Sequence, residues 1–268
     1  MSGSRISHPN MIKISIVTIS YNQARFLEKA ISSVLGQDYK NIEYIIVDPG
    51  STDGSRDIIE HYSDRIHKII FEPDKGPADG LNKGFAQATG EVFGYINSDD
   101  ILLPGALTKV AAYFSVHRGV DVLLGNGMQL DGNGAVTRKL FSTKWDLRRY
   151  AYGVCVVVQQ GNFFNKTAFE RAGCFNVENR TCWDGELLVD MSMSGARFLK
   201  VDDFLGGFRL YSESINGSGR LKTQFKMDHR RIFRNIMGRD FQWSDEILRF
   251  FYRSTKKLSS LAKQVKSS

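Results

Sequence analysis

Asp99 and Asp100 close the apolar run Val92–Ile96 through Asn97 and Ser98, and Asp48 closes an earlier run, Tyr44-Ile45-Ile46-Val47, in the same way. Carboxylates at the carboxyl ends of successive core strands stand where an open α/β sheet places its ligand crevice. Water would solvate them at lower cost in a loop, so this placement points to a bound cation or a polar ligand. A divalent cation such as Mg²⁺ takes one or two carboxylates and completes its octahedron with water and phosphate oxygens, a shell that Asp99 and Asp100 can begin. Asn97 and Ser98 stand on the same turn, within reach of a ribose or a phosphate. Capping of the helix that starts near Pro104 would explain the same acids without any ligand.

Two other segments carry similar potential. Thr18-Ile19-Ser20-Tyr21-Asn22 leads from a buried strand into a loop and a helix, with small hydroxyls and amides that suit a nucleotide and a Tyr21 ring that suits a base. An ordinary N-cap by Ser20 or Asn22 explains it too. Asp48 can accept from a pyrimidine N–H or a ribose hydroxyl, and the turn Pro49-Gly50-Ser51 would bring the amides of Gly50 and Ser51 toward the same ligand. A turn-forming aspartate looks identical, and Asp53 reads best as a cap before Gly54-Ser55.

The elements that must position these residues alternate along the first half. Strands are expected at Lys13–Ser20, Ile42–Val47, Ile66–Phe71 and Val92–Ile96, with helices at Ala24–Leu35, from Ser55 to about His61, and at Ala78–Ala88. This alternation predicts an α/β fold with a mainly parallel sheet and right-handed crossovers. Beyond Pro104 the pattern gives a helix at Leu107–Phe114, then strands Val120–Leu130 and Ala135–Phe141 around the hairpin signal Asp131-Gly132-Asn133-Gly134. Residues 142–183 are mixed. A helix is expected at Asp184–Ser194, strands at Arg197–Val201 and Leu205–Tyr211, and helix from Leu221 onward, broken near Gly238.

The chain has 268 residues, 42% of them hydrophobic, enough for one large domain with a tail. The expected division is a disordered leader at 1–10, a body at 11–218 with halves 11–104 and 105–218, and a basic helical extension at 219–268. The three cysteines, Cys155, Cys174 and Cys182, have neither disulfide-framework nor zinc spacing. With no signal peptide and no long apolar run, a cytoplasmic location is expected. The net charge of +7 is uneven: residues 219–268 hold 13 Lys/Arg against 4 Asp/Glu, a balance of +9, which leaves the rest at −2. Such a tail suits anionic lipid, nucleic acid or an acidic partner, and charge alone does not choose. Cations interleaved with Phe233, Ile236, Met237, Phe250, Phe251 and Tyr252 resemble an interfacial helix on the inner membrane face; a helix packed on the body with a solvated basic face would read the same.

Taken together, the segments Ile16–Asn22, Val47–Gly54, Asp74–Gly84, Ala88–Glu91 and Tyr95–Asp100 resemble glycosyltransferase family 2, inverting sugar-nucleotide transferases with the A-type (GT-A, Rossmann-like) fold. The resemblance covers residues 12 to 212 and is nearest to bacterial exopolysaccharide, capsule and O-antigen transferases. It implies a nucleoside diphosphate sugar as donor, a UDP-sugar first among them, a glycan or lipid-linked acceptor, a divalent metal (Mn²⁺ or Mg²⁺) and no nucleic-acid partner. It matches Asp48 to the acid that binds the base and Asp99 to the metal acid of the D-x-D motif, and places Asp79, Asn82 and Lys83 with the donor. Asn97 stands where many members carry the first Asp of that motif, and Pro49 replaces a frequent second Asp. The resemblance makes Asp184 the catalytic base, with Trp183 in place of a Glu, and sets Gln160 and Trp183 in the acceptor pocket. Tyr211 replaces the His of an Arg-x-His segment, which leaves Arg209 or Tyr211 to touch the diphosphate. A nucleotidyltransferase would share the sheet and the metal acids but needs a Gly-rich basic loop that Ser20–Leu27 lacks, and a non-catalytic carbohydrate-binding protein would not need the ordered acids.

Overall fold

The computed structural model describes residues 11–212 and 221–265, with only the backbone described for 255–265. The expected leader therefore lies outside the described residues. Strands β1 (Ile14–Ile19), β2 (Ile42–Val47), β3 (Lys68–Ile70) and β4 (Val92–Asn97) run parallel, joined through helices α1 (Ala24–Leu35), α2 (Ser55–His61) and α3 (Pro77–Ala86). These agree with the expected elements to within two or three residues. A short β5 (Ile101–Leu102) and helix α4 (Ala106–Val116) follow, then the hairpin of β6 (Val122–Leu130) and β7 (Val136–Leu140). The cap of α4 is Gly105, with no side-chain hydrogen bond, so neither Asp99 nor Asp100 is spent on capping that helix.

The mixed stretch resolves into α5 (Leu147–Ala151), β8 (Asn162–Asn165), α6 (Lys166–Arg171) and α7 (Trp183–Met193). β8 runs antiparallel between β4 and β6. The two strands expected at 197–211 are a single β9 (Phe198–Arg209), whose pairing with β6 shifts register around Asn126. The Asn126 amide donates to the Asp202 carbonyl at 2.8 Å across that irregularity. Among the described residues the nine strands form one sheet, β3-β2-β1-β4-β8-β6-β9-β5, with β7 attached to β6. This is a GT-A-like α/β fold, a mixed and mostly parallel sheet with helices on both faces.

Side chains alternate across the sheet into two cores. Ile14, Ile16, Tyr44 and Ile46 meet Leu27 and Ile31 of α1 on one face. Val17, Ile45, Val47, Phe93 and Tyr95 meet Leu81 and Phe85 of α3 and Leu187 of α7 on the other.

The C-terminal helices α8 (Lys222–Met237) and α9 (Trp243–Val265) are fastened by buried acids. Arg231 on α8 forks onto Glu186 of α7 at 3.1 and 2.8 Å and reaches Asp228 at 3.3 Å. Asp245, fully buried, takes the Tyr152 hydroxyl at 2.8 Å and both terminal nitrogens of Arg239 at 2.6 and 2.8 Å. Each would be a costly unpaired charge without its partner, so the ion pairs fix where the helices sit. Among the described residues no helix is long and apolar enough to cross a membrane.

Candidate functional site

The parallel register sets Ile19 beside both Val47 and Asn97, so three strand ends converge and Ser20, Asp48 and Ser98 follow on adjacent strands. The first two loops are locked to each other. Ser51 Oγ accepts the Asn22 amide at 2.8 Å, Ser55 Oγ the Gln23 amide at 3.1 Å and Asp53 the Ala24 amide at 2.9 Å, while Asn22 Oδ1 accepts the Thr52 amide at 2.9 Å. The start of α1 is thus capped from the β2–α2 loop, not by Ser20 or Asn22. Asn22 adopts φ 51°, a left-handed conformation that asparagine tolerates. Thr18 faces the core under the Tyr44 hydroxyl at 3.0 Å, and Tyr21 projects to solvent at the rim. Ser20 is buried and its hydroxyl has no protein partner.

Asp48 is completely buried, and the donors around it come from its own loop and α2. Oδ1 accepts the amides of Gly50 and Ser51 at 3.0 and 2.8 Å and Arg56 Nε at 3.1 Å; Oδ2 accepts the Ser51 hydroxyl at 2.6 Å. Burial alone would raise its pKa, but these donors outweigh it and hold the carboxylate below the usual range.

At the end of β4 the paired acids separate. Asp100 turns inward, where its oxygens accept Asn97 Nδ2 at 3.1 Å, Gln160 Nε2 at 2.7 Å and the Arg209 amide at 3.0 Å. Burial, then the neighbouring Asp99, pushes its carboxyl up to about 8. Asp99 is less enclosed, and its Oδ2 meets the Tyr211 hydroxyl at 3.1 Å. Arg209 is buried, donates to the carbonyls of Asp99 and Asp131 at 2.9 Å each, and lies over the Phe26 ring. It therefore shapes the loop from inside.

These positions fit a cation held by few protein ligands. Among the described residues no three His, Cys, Asp or Glu side chains gather as a metal cage. One carboxylate at Asp99, completed by diphosphate oxygens, is the shell that Mg²⁺ or Mn²⁺ accepts beside a phosphorylated ligand. Asp100, read beside Asp99 as a metal acid, instead has three protein donors on its two oxygens.

The donor-side residues of α3 are engaged locally. Asp79 accepts the Lys75 amide at 2.9 Å, Asn82 exchanges two hydrogen bonds with the Phe175 backbone at 2.8 and 3.0 Å, and Lys83 reaches the Pro73 carbonyl. They hold the 73–76 and 175 loops in place.

On the acceptor side, Trp183 packs on Tyr95 and Phe175, each at 5.5 Å between ring centres. Asp184 is the second residue of α7, whose cap position is Cys182, and its carboxylate has no side-chain hydrogen bond or ion pair among the described residues. Burial raises its pKa, opposed in part by the helix-start amides of Gly185 and Asp184. Burial first and the Asp184 charge second hold the phenols of Tyr95 and Tyr150 protonated well above the usual tyrosine range. The Tyr150 hydroxyl lies so close to Gly185 that a Cβ there would sit 1.7 Å from it. Gly185 is thereby required beside Asp184.

Four residues without an expected role also reach the crevice. Tyr95 and Tyr150 border Asp184. Asp74, raised in pKa chiefly by burial and also by Asp79 and Asp48, belongs to the Asp74–Gly84 segment. Arg180 crosses to Gly76, whose φ of 124° and missing Cβ admit its guanidinium. The motif around Asp74 was a usable signal; Arg180 and Tyr150 lie in the mixed stretch, where no pattern marks them.

Known proteins resemble this chain in sequence over part of its length and in fold over most of it. An uncharacterized glycosyltransferase of Nostoc sp. is 41% identical over 130 residues, covering 45% of this chain and 40% of that one. A GalNAc(5)-diNAcBac-PP-undecaprenol beta-1,3-glucosyltransferase of Campylobacter jejuni is 36% identical over 104 residues, covering 37% and 34%. The matches take in less than half the length of either relative. The structure of S. aureus TarS 1-349 in complex with UDP-GlcNAc superimposes with a TM-score of 0.69 at 19% identity, covering 88% of this chain and 69% of that one, a likeness of fold. Residues 15–177, more than half of the chain, match the sequence model described as Glycosyl transferase family 2, and the chain belongs to that family.

Proposed function

We propose that the chain transfers a hexosyl group, with inversion, from a nucleoside diphosphate sugar to a hydroxyl of a glycan or lipid-linked acceptor in bacterial surface-polysaccharide synthesis. Family membership supports glycosyl transfer, and a UDP-sugar is the donor we favour because the TarS fold holds UDP-GlcNAc. The observation that carries the mechanism is Asp184: an enclosed carboxylate without a side-chain partner, beside Tyr95 of β4, the strand that leads into the Asp99 turn.

Asp184 takes the proton of the acceptor hydroxyl as that oxygen bonds to the anomeric carbon and the bond from that carbon to the diphosphate oxygen breaks. Its raised pKa makes it a stronger base than an exposed aspartate. Tyr95 and Tyr150, kept neutral, enclose the base without competing for its charge. On the donor side Ser20 offers its unpartnered hydroxyl, Tyr21 a ring for the base, and Asp48 the acceptor capacity left on Oδ2. A divalent cation held by Asp99 and the diphosphate would neutralise charge on the leaving group.

A thermal-shift screen of nucleoside diphosphate sugars with Mn²⁺ tests this reading. A UDP-sugar at 100 times its Kd should stabilise the protein by about 2.7 kcal/mol, and Asp99→Ala or chelation should abolish most of that shift. Absence of any shift from millimolar donors would overturn it.

A further inference from the structure

Among the cations of the C-terminal helices, Arg231 and Arg239 are struts to buried acids and Arg234 and Arg249 pair with Asp240 and Glu246, whereas Lys226 and Arg230 form no ion pair among the described residues. Those two, with Arg249 from α9, line a groove of about 710 Å³ between the helices, together with Phe225 and Phe241.

Beside the groove, α9 presents a bare apolar face. Trp243, Ile247, Phe250 and Phe251 are 80%, 61%, 74% and 69% exposed. At about 100° per residue they fall within roughly 100° of arc. The opposite side of α9 holds buried Asp245 and Tyr252, which stacks on Tyr152 at 5.4 Å. The face is therefore outward because the helix is pinned by its other side. By the same count Arg253 falls on the flank of that strip. Large exposed aromatics clustered on one strip mark an interaction surface. A second copy of this chain would bring like charge against a segment balanced at +9, whereas an anionic surface gains from it.

We infer that α9 lies flat on an anionic lipid bilayer, with Trp243, Ile247, Phe250 and Phe251 inserted at the headgroup level and Lys226 and Arg230 receiving lipid phosphates. Aromatic anchors flanked by cations are what an interfacial helix requires. Because Arg231 ties α8 to Glu186, two residues beyond Asp184, the docking surface is braced to the helix that carries the proposed base. The docking itself does not rest on the donor-site reading.

The test uses the full chain and vesicles of phosphatidylcholine with about 30% phosphatidylglycerol, without donor, compared with phosphatidylcholine alone. Co-sedimentation is expected with the anionic vesicles at low salt, falling about tenfold or more without the anionic lipid or at about 0.5 M salt. A Trp243→Ser, Phe250→Ser, Phe251→Ser variant and a Lys226→Glu, Arg230→Glu variant should each lose about tenfold or more in partitioning, with circular dichroism and donor-induced thermal shift unchanged. No co-sedimentation at low salt overturns the inference. So does a dimer in light scattering that the triple variant makes monomeric while vesicle binding stays the same, which would assign the face to a second copy. A chain that binds vesicles but no sugar nucleotide would leave this inference standing and overturn only the donor reading.

Discussion

Asp48 and Asp184 are both acids just beyond or within the first turn of a core element, yet their surroundings are opposite. Asp48 accepts four hydrogen bonds, two from backbone amides and two from side chains, and is held ionised below the usual range. Asp184 has no side-chain partner and is pushed up by burial. A saturated carboxylate spends its charge on shaping a loop; an unsaturated one keeps it for a proton. Among the proposed donor-side acids Asp48 and Asp100 are therefore committed to the fold and Asp99 meets one side-chain donor, while Asp184 on the proposed acceptor side meets none.

Replacing the reserve acid should give the largest effect. Asp184→Asn is expected to lower turnover about 10² to 10⁴-fold, while the thermal shift given by the donor is unchanged. Near wild-type turnover in that variant would remove Asp184 as base. Its stability at neutral pH should equal or exceed that of the wild type, because a carboxylate whose charged form is disfavoured by desolvation is gone.

The reverse substitution should cost the fold. Asp48→Asn leaves Arg56 and the loop amides short of an anion and should destabilise by about 2 to 4 kcal/mol, read from denaturant unfolding. The two variants should also bend the pH dependence of stability in opposite senses. Asp48 has its folded pKa depressed, so its contribution is present above the unfolded value and is lost as pH falls through the folded one. Asp184 has its folded pKa raised, so its contribution is complete below the unfolded value and is lost as pH rises through the folded one. Unfolding curves from about pH 3 to 8 for each variant against the wild type measure both. Equal slopes for the two would dissolve the contrast.

The parallel half was legible because its strands carry apolar runs such as Tyr44-Ile45-Ile46-Val47, and β1, β2 and β4 each lead into a residue of the candidate crevice. The acceptor half was not, for a physical reason. β8 is only Asn162–Asn165 and buries Phe163 and Phe164 on opposite faces, so it has neither length nor alternation. β9 read as two strands because Asp202 and Asp203 interrupt its apolar pattern at the register shift. In the tail, Asp228 and Asp245 read as scattered acids among many cations, yet both are buried anchors. Burial of these acids depends on Thr181 and Tyr152 reaching them from far along the chain, and periodicity carries no trace of that. Gln160 and the Arg209 amide claim Asp100 from far along the chain, a tie that no local pattern announces.

Ser20 offers the finest test of whether unsatisfied groups mark function here. Its hydroxyl is buried without a protein partner at the strand end facing Asp48, where an unpaired hydroxyl gains the fold nothing. Ser20→Ala should therefore leave unfolding stability within about 0.5 kcal/mol. If the hydroxyl serves the donor, the same change should weaken sugar-nucleotide binding by roughly threefold to tenfold, the worth of one neutral hydrogen bond. Thr18 supplies the control on the same strand, since its hydroxyl already accepts from Tyr44. Thr18→Val should cost about 1 kcal/mol of stability and spare donor affinity. A loss of stability in Ser20→Ala with unchanged donor binding would reverse the assignment, making Ser20 part of the scaffold.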